Sequence, residues 1–81
     1  MVSGAQVRAA RALLGWTTRD LAKRAVVSIS TVNMMEGADG LPSTSREHVA
    51  AVEVTLEAMG IEFLNGDAPG VRLHPKRRRR K

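Results

Sequence analysis

A mainly α domain of four to five helices, closed by a C-terminal β-hairpin, is the fold class this sequence predicts. Three observations carry the prediction. Apolar residues recur at spacings of three and four in four successive segments, each opened by a Ser or Thr. After Gly60 the pattern changes to two short, partly alternating β-prone runs separated by turn formers. The final stretch, Lys76 to Lys81, consists only of cations, which predicts a disordered basic tail. The expected organisation is a helical domain over 1–60, a hairpin over 61–74 and a tail over 75–81.

Ser3-x-x-Gln6 reads as a capping box that opens the first helix, with Val7, Ala10 and Leu14 on its apolar face. Gly15 supplies the stop. Trp16 is expected to fill the corner before the next helix, its N–H finding a partner. Thr17 caps the second helix, in which Leu21, Ala22 and Ala25 face inward. Ser28-x-x-Thr31 starts a third helix that runs to about Glu36, with Val32 and Met35 turned to the core. Gly37, Gly40 and Pro42 then make a loop. The fourth helix starts at Thr44 or Ser45, with Glu47 spaced for a capping box from Thr44, and Val49, Val52, Leu56 and Met59 form its stripe. Ile61–Leu64 and Val71–Leu73 read as strands around a six-residue loop, Asn65 to Gly70. A hairpin alone is marginal in water, so it must dock on the helices or pair with a second chain.

A chain of 81 residues has room for one small core. It contains no cysteine, which excludes a disulfide framework and a thiolate zinc site and fits a cytoplasmic, nucleoid-associated location. No apolar run is long enough to span a membrane, and the N-terminus does not read as a secretion signal. Six of the positive charges sit at Lys76–Lys81, so the net charge of +5 becomes −1 for residues 1–75. The basic character belongs to the tail, which favours a polyanionic partner through counterion release.

The stretch from Thr18 to Glu36 is the informative one. Two short helices meet through a tight turn, and the small Ala22 stands where they cross, with Val32 closing the contact from the other side. This layout holds the second helix of the pair rigidly, its outer face free for a DNA major groove. The run Thr18-Arg19-Asp20-Leu21-Ala22-Lys23-Arg24-Ala25-Val26-Val27-Ser28, followed by Val32 and Glu36, resembles the helix-turn-helix family of the lambda and 434 repressors and Cro. The matching positions are Leu21, Ala22, Val27, Ser28, Val32 and Glu36, and the preceding Arg11-x-x-x-Gly15 also fits. The resemblance covers roughly residues 4–59. The chain departs from the pattern twice. Thr18 stands where the family often has a phosphate-binding Gln, and Val26 stands at the usual turn glycine. A left-handed backbone at a β-branched residue is costly, so either the turn differs or Val26 is strained.

The resemblance implies a repressor-like fold and a sequence-specific transcriptional regulator that binds double-stranded DNA as a homodimer. Ser28, Ile29, Ser30, Thr31, Asn33 and Met34 then occupy the base-reading face. Asn33 suits bidentate pairing with adenine, and Ile29 or Met34 a thymine methyl. The face has no Arg or Lys. Backbone contacts are expected from Thr17, Thr18, Arg19, Lys23, Ser43, Ser45 and Arg46, aided by the free N–H groups of two helix starts. Arg77, Arg78, Arg79 and Arg80 are expected to follow phosphates without reading sequence. Arg11 and Glu36 match an internal ion pair of the related repressors. Ile61, Phe63, Val71 and Leu73 form the apolar face of the hairpin, the expected dimer contact.

No enzyme is expected. His48 and His74 lack a nearby nucleophile or carboxylate cluster at a telling spacing, and nothing in the sequence calls for a cofactor or metal. Two competing readings stay open: a protein-interaction module on the same scaffold, such as an antitoxin or an adaptor with a protein partner, and a non-specific nucleic-acid binder driven by the tail.

Overall fold

The structure is a computed structural model that describes residues 2–37 and 45–74. Its elements run α1 (Gly4–Leu14), α2 (Thr18–Ala25), α3 (Ile29–Gly37), α4 (Arg46–Ala58), β1 (Ile61–Leu64) and β2 (Gly70–Leu73). The mainly helical architecture with a C-terminal hairpin is as the sequence predicts. The tail, 75–81, lies outside the described residues, as does the loop 38–44.

The helix starts are set by local hydrogen bonding. At α1 the Ser3 hydroxyl accepts the Gln6 N–H, and the Gln6 side chain accepts the Ser3 N–H in return, so two orphan donors are satisfied at once. Thr17 and Asp20 repeat the device at α2. Ser28 Oγ accepts the Thr31 N–H at the start of α3. For α4 the cap is Ser45, whose hydroxyl accepts the His48 N–H at 3.2 Å. The spacing of Glu47 from Thr44 therefore does not mark the start of this helix.

The first two helices end on one shared device. Gly15 takes a left-handed conformation (φ 70°) and closes α1 with N–H bonds back to its last turn. Val26 does the same at the end of α2, with φ 60° and ψ 49°. It is the one non-glycine residue with positive φ among the described residues. The turn therefore keeps its geometry at Val26, and strain of about 1–3 kcal/mol follows for a β-branched side chain there. Val26 is 88% exposed, so no burial repays this.

One core joins all the elements. Val7 and Ala10 of α1, Leu21, Ala22 and Ala25 of α2, Val32 and Met35 of α3, and Val49, Val52 and Leu56 of α4 are buried together, with Val2 and Ile61. Ala22 and Val32 both lie in this cluster, where α2 packs on α3. Leu14, Trp16 and Val27 lean on its margin.

The hairpin is antiparallel, with Ile61 opposite Leu73 and Leu64 opposite Gly70. Because Gly70 pairs in the ladder, the loop spans 65–69, one residue shorter than expected. Of the residues expected at a dimer contact, Ile61 is withdrawn, being 1% exposed within a single chain. Phe63, Val71 and Leu73 are half-buried and pack against the same core, where α1 meets β2 and α4 meets β1. Gln6 fastens the assembly: its Nε2 donates to the carbonyls of Leu64 and Gly70, both at 3.0 Å. The sequence assigned Gln6 only to the capping box.

Candidate nucleic-acid interface

The face of α3 follows from its sequence. Val32, Met35 and Glu36 are buried. Ser30, Asn33, Met34 and Gly37, spaced by three and four, are exposed on the opposite side. Met34 is 52% exposed, and Ile29, at 37%, stands at one margin of the face. Thr31 stands at the other margin, half-buried, and its hydroxyl shares a hydrogen bond of 2.9 Å with Ser28 Oγ. Ser28 and Thr31 are therefore tied to each other at the helix start, while Ser30, Asn33 and Met34 present unengaged ends. The base-facing set expected from sequence is on one surface, with Ser30, Asn33 and Met34 at its centre.

The buried side of α3 is locked by polar contacts as well as packing. The Arg11 guanidinium grips the Glu36 carboxylate with two bonds, Nε to Oε2 at 2.9 Å and Nη2 to Oε1 at 3.0 Å. Its third donor, Nη1, bonds the Trp16 carbonyl at 2.9 Å. One side chain thus ties α1 to α3 and to the corner before α2. The hydrogen bond it donates to Glu36 holds the pKa of Arg11 above its ordinary value, against the opposing effect of burial. Arg8, to which the sequence reading gave no role, donates from Nη1 to the Glu36 backbone carbonyl. It satisfies a carbonyl in the last turn of α3, where cations are favoured. Only its place one turn before Arg11 hinted at this.

Around α3 the remaining predicted residues are placed as follows. Thr17, Arg19 and Lys23 are exposed on α2 and its cap, and Thr18 is half-buried in its first turn. Ser45 and Arg46 are exposed at the start of α4. Ser43 and Arg77 to Arg80 lie outside the described residues. Asp20, the acidic residue in this first turn, is engaged: its carboxylate accepts the Thr17 N–H at 2.9 Å, which lowers its pKa. Arg24 stacks over the Trp16 ring at 4.8 Å from the centroid, a cation–π contact that the sequence did not disclose.

Charge is divided along the chain. Residues 2–37 carry Arg8, Arg11, Arg19, Lys23 and Arg24 against Asp20 and Glu36, a net of three positive. Residues 45–74 carry Arg46 and Arg72 against Glu47, Glu53, Glu57, Glu62 and Asp67, a net of three negative. A near-neutral body therefore hides a cationic half that includes α2 and α3. On the hairpin, Glu62 meets His74 at 2.6 Å and Arg72 at 3.7 Å. Among the described residues no group of three or more His, Asp or Glu is placed to hold a metal ion. No helix there is long and apolar enough to cross a membrane.

Compared with known proteins, the chain matches no family model and no curated protein.

Proposed function

We propose that this protein is a sequence-specific DNA-binding transcriptional regulator with a repressor-like helix-turn-helix. It acts as a homodimer that occupies operator DNA and reads bases through α3. The observation that carries the reading is the asymmetry of α3. Its inner side is held by Val32, Met35 and the Arg11–Glu36 pair, while Ser30, Asn33 and Met34 stand exposed on its outer side. Base readout needs side chains held at fixed positions by a rigid scaffold.

The division of labour follows from the charges. Asn33 pairs with a base edge, and Met34 and Ile29 offer apolar contact to thymine methyls. Arg19, Lys23 and Arg46, with the N–H groups at the starts of α2 and α4, hold phosphates and fix register. The tail adds affinity that is blind to sequence. Blocking access to an operator needs no cofactor.

Selection from a pool of random duplexes tests this, run on the full chain and on a chain ending at residue 75. Both should recover one common motif, the shorter chain with lower affinity. Recovery of no motif by either chain overturns the reading. A motif-free chain that co-purifies with a protein partner points instead to an antitoxin or adaptor role, which the uncharged and partly apolar face of α3 also suits.

A further inference from the structure

Of the large apolar side chains left exposed, Ile29 and Met34 belong to the α3 face, Val26 to the turn before it and Leu13 to α1, which leaves Val54 on the outer face of α4. Val54 is 63% exposed, turned away from Val52 and Leu56 in the core. Ala50 and Ala58, one turn to either side of it, are exposed as well. Beside them an open groove of about 400 Å³ runs between α4 and α2, lined by Trp16, Arg24, Val54, Thr55, Ala58 and Met59. The two rims of this face carry opposite charge. Arg24 stands on the α2 side, stacked on Trp16. The exposed Glu57 stands on the hairpin side, where it lines a second hollow with Ile61, Phe63 and His74.

We propose that this face is the contact between two copies of the chain, paired about a two-fold axis that runs along α4. Charge at the Arg24 and Glu57 rims favours this axis, set against the cost of bringing Glu47, two turns before Val54, near its own counterpart. A two-fold along α4 sets the Arg24 rim of one copy against the Glu57 rim of the other. A two-fold across α4 would set Arg24 against Arg24. Small Ala50 and Ala58 let the helices approach closely, and Val54 fills the seam. Glu47, Glu53 and Glu57 on α4 disfavour a nucleic acid as the occupant.

The choice of a second copy rests on the DNA-binding reading, because one small unit reads few base pairs and two give a half-site pair. Each body measures 34 × 31 × 19 Å, a size at which two copies side by side can match half-sites roughly 34 Å apart.

Sedimentation equilibrium of the full chain without DNA tests the pairing apart from DNA binding. The wild type should dimerise, and Val54→Arg should weaken the dimer by about tenfold or more. Thermal melting of the variant shows that the fold survives. Arg24→Glu and Glu57→Arg should each weaken pairing, and the double variant should restore it to within about threefold of wild type. A chain monomeric at every concentration tested, a Val54→Arg variant that pairs like wild type, or a charge swap without restoration each overturns the proposal. Binding of the Val54→Arg chain to a duplex carrying one half-site separates this outcome from failure of the DNA-binding reading.

Discussion

Arg11 and Glu36 meet in a two-pronged pair that is nearly closed to water on the acidic side: the Glu36 side chain is 7% exposed and that of Arg11 is 23% exposed. The pair fixes the angle of α3 more than it adds net stability, since both charges give up hydration. Removing one partner is a different matter. Arg11→Met strands a buried carboxylate and also frees the Trp16 carbonyl, so urea unfolding should show a loss of about 3 kcal/mol. The double change Arg11→Met with Glu36→Leu should recover part of that loss. A double variant as unstable as Arg11→Met would show that geometry, not the stranded charge, sets the cost.

Val26 carries avoidable strain. It holds the left-handed conformation that Gly15 adopts freely at the preceding helix end, and its side chain is in solvent. Val26→Gly should therefore raise stability, by about 1 kcal/mol after the greater flexibility of glycine in the unfolded chain is set against the relief. Chemical denaturation measures it. A Gly variant less stable than wild type would mean that the turn is relaxed with valine in place.

These two residues mark how far the sequence could be read. The helix starts were legible because capping is local: Ser3 with Gln6, Thr17 with Asp20 and Ser28 with Thr31 each act over three residues. The core stripe of every helix was legible from periodicity, and the Arg11–Glu36 pair from a family resemblance. Contacts joining residues far apart in sequence were not. Nothing local says that Gln6 spans to Leu64 and Gly70, or that Arg8 reaches the end of α3. The hairpin shows the same limit. Its alternation identified an apolar face but could not say whether that face meets the chain's own helices or another copy, and Ile61 went to the core.

Gln6 gives a test of that docking. Gln6→Glu keeps the acceptor for the Ser3 N–H but loses both donors to the hairpin, so the α1 cap persists while two carbonyls lose their partner. The expected cost is about 1–3 kcal/mol, with faster amide exchange across β1 and β2 than across α1. Equal acceleration in all elements would mean that the side chain supports the fold as a whole.

Asp20 predicts a pH effect of known sign. Hydrogen bonds from the Thr17 backbone and then its side chain lower the carboxyl pKa below its ordinary value of 3.8. A depressed folded pKa contributes stability that is fully present above the unfolded value and is lost as pH falls through the folded one. The cap of α2 should therefore weaken only below about pH 4. Carbon-detected titration should place the Asp20 midpoint below that of a free aspartate, and Thr17→Ala should move it back up. Because Thr17→Ala keeps the backbone N–H, a midpoint unmoved by it would assign the shift to that N–H and not to the hydroxyl.

Asn33 and the tail separate the two halves of DNA recognition. Asn33→Ala removes a base-edge contact and leaves the charge unchanged. It should cost about 1–3 kcal/mol on the preferred duplex and little on random DNA, with the salt dependence unaltered. A chain ending at residue 75 should do the reverse: it should bind every duplex more weakly, with the salt slope reduced by about 1 for each cation that had met a phosphate. Because Asn33 is exposed on α3 and the cations Lys76 to Lys81 are remote from it in sequence, the two losses should add. The decisive comparison is the ratio of preferred to random binding across both variants. An Asn33→Ala chain with that ratio unchanged would remove α3 as the reading element, whatever the tail does.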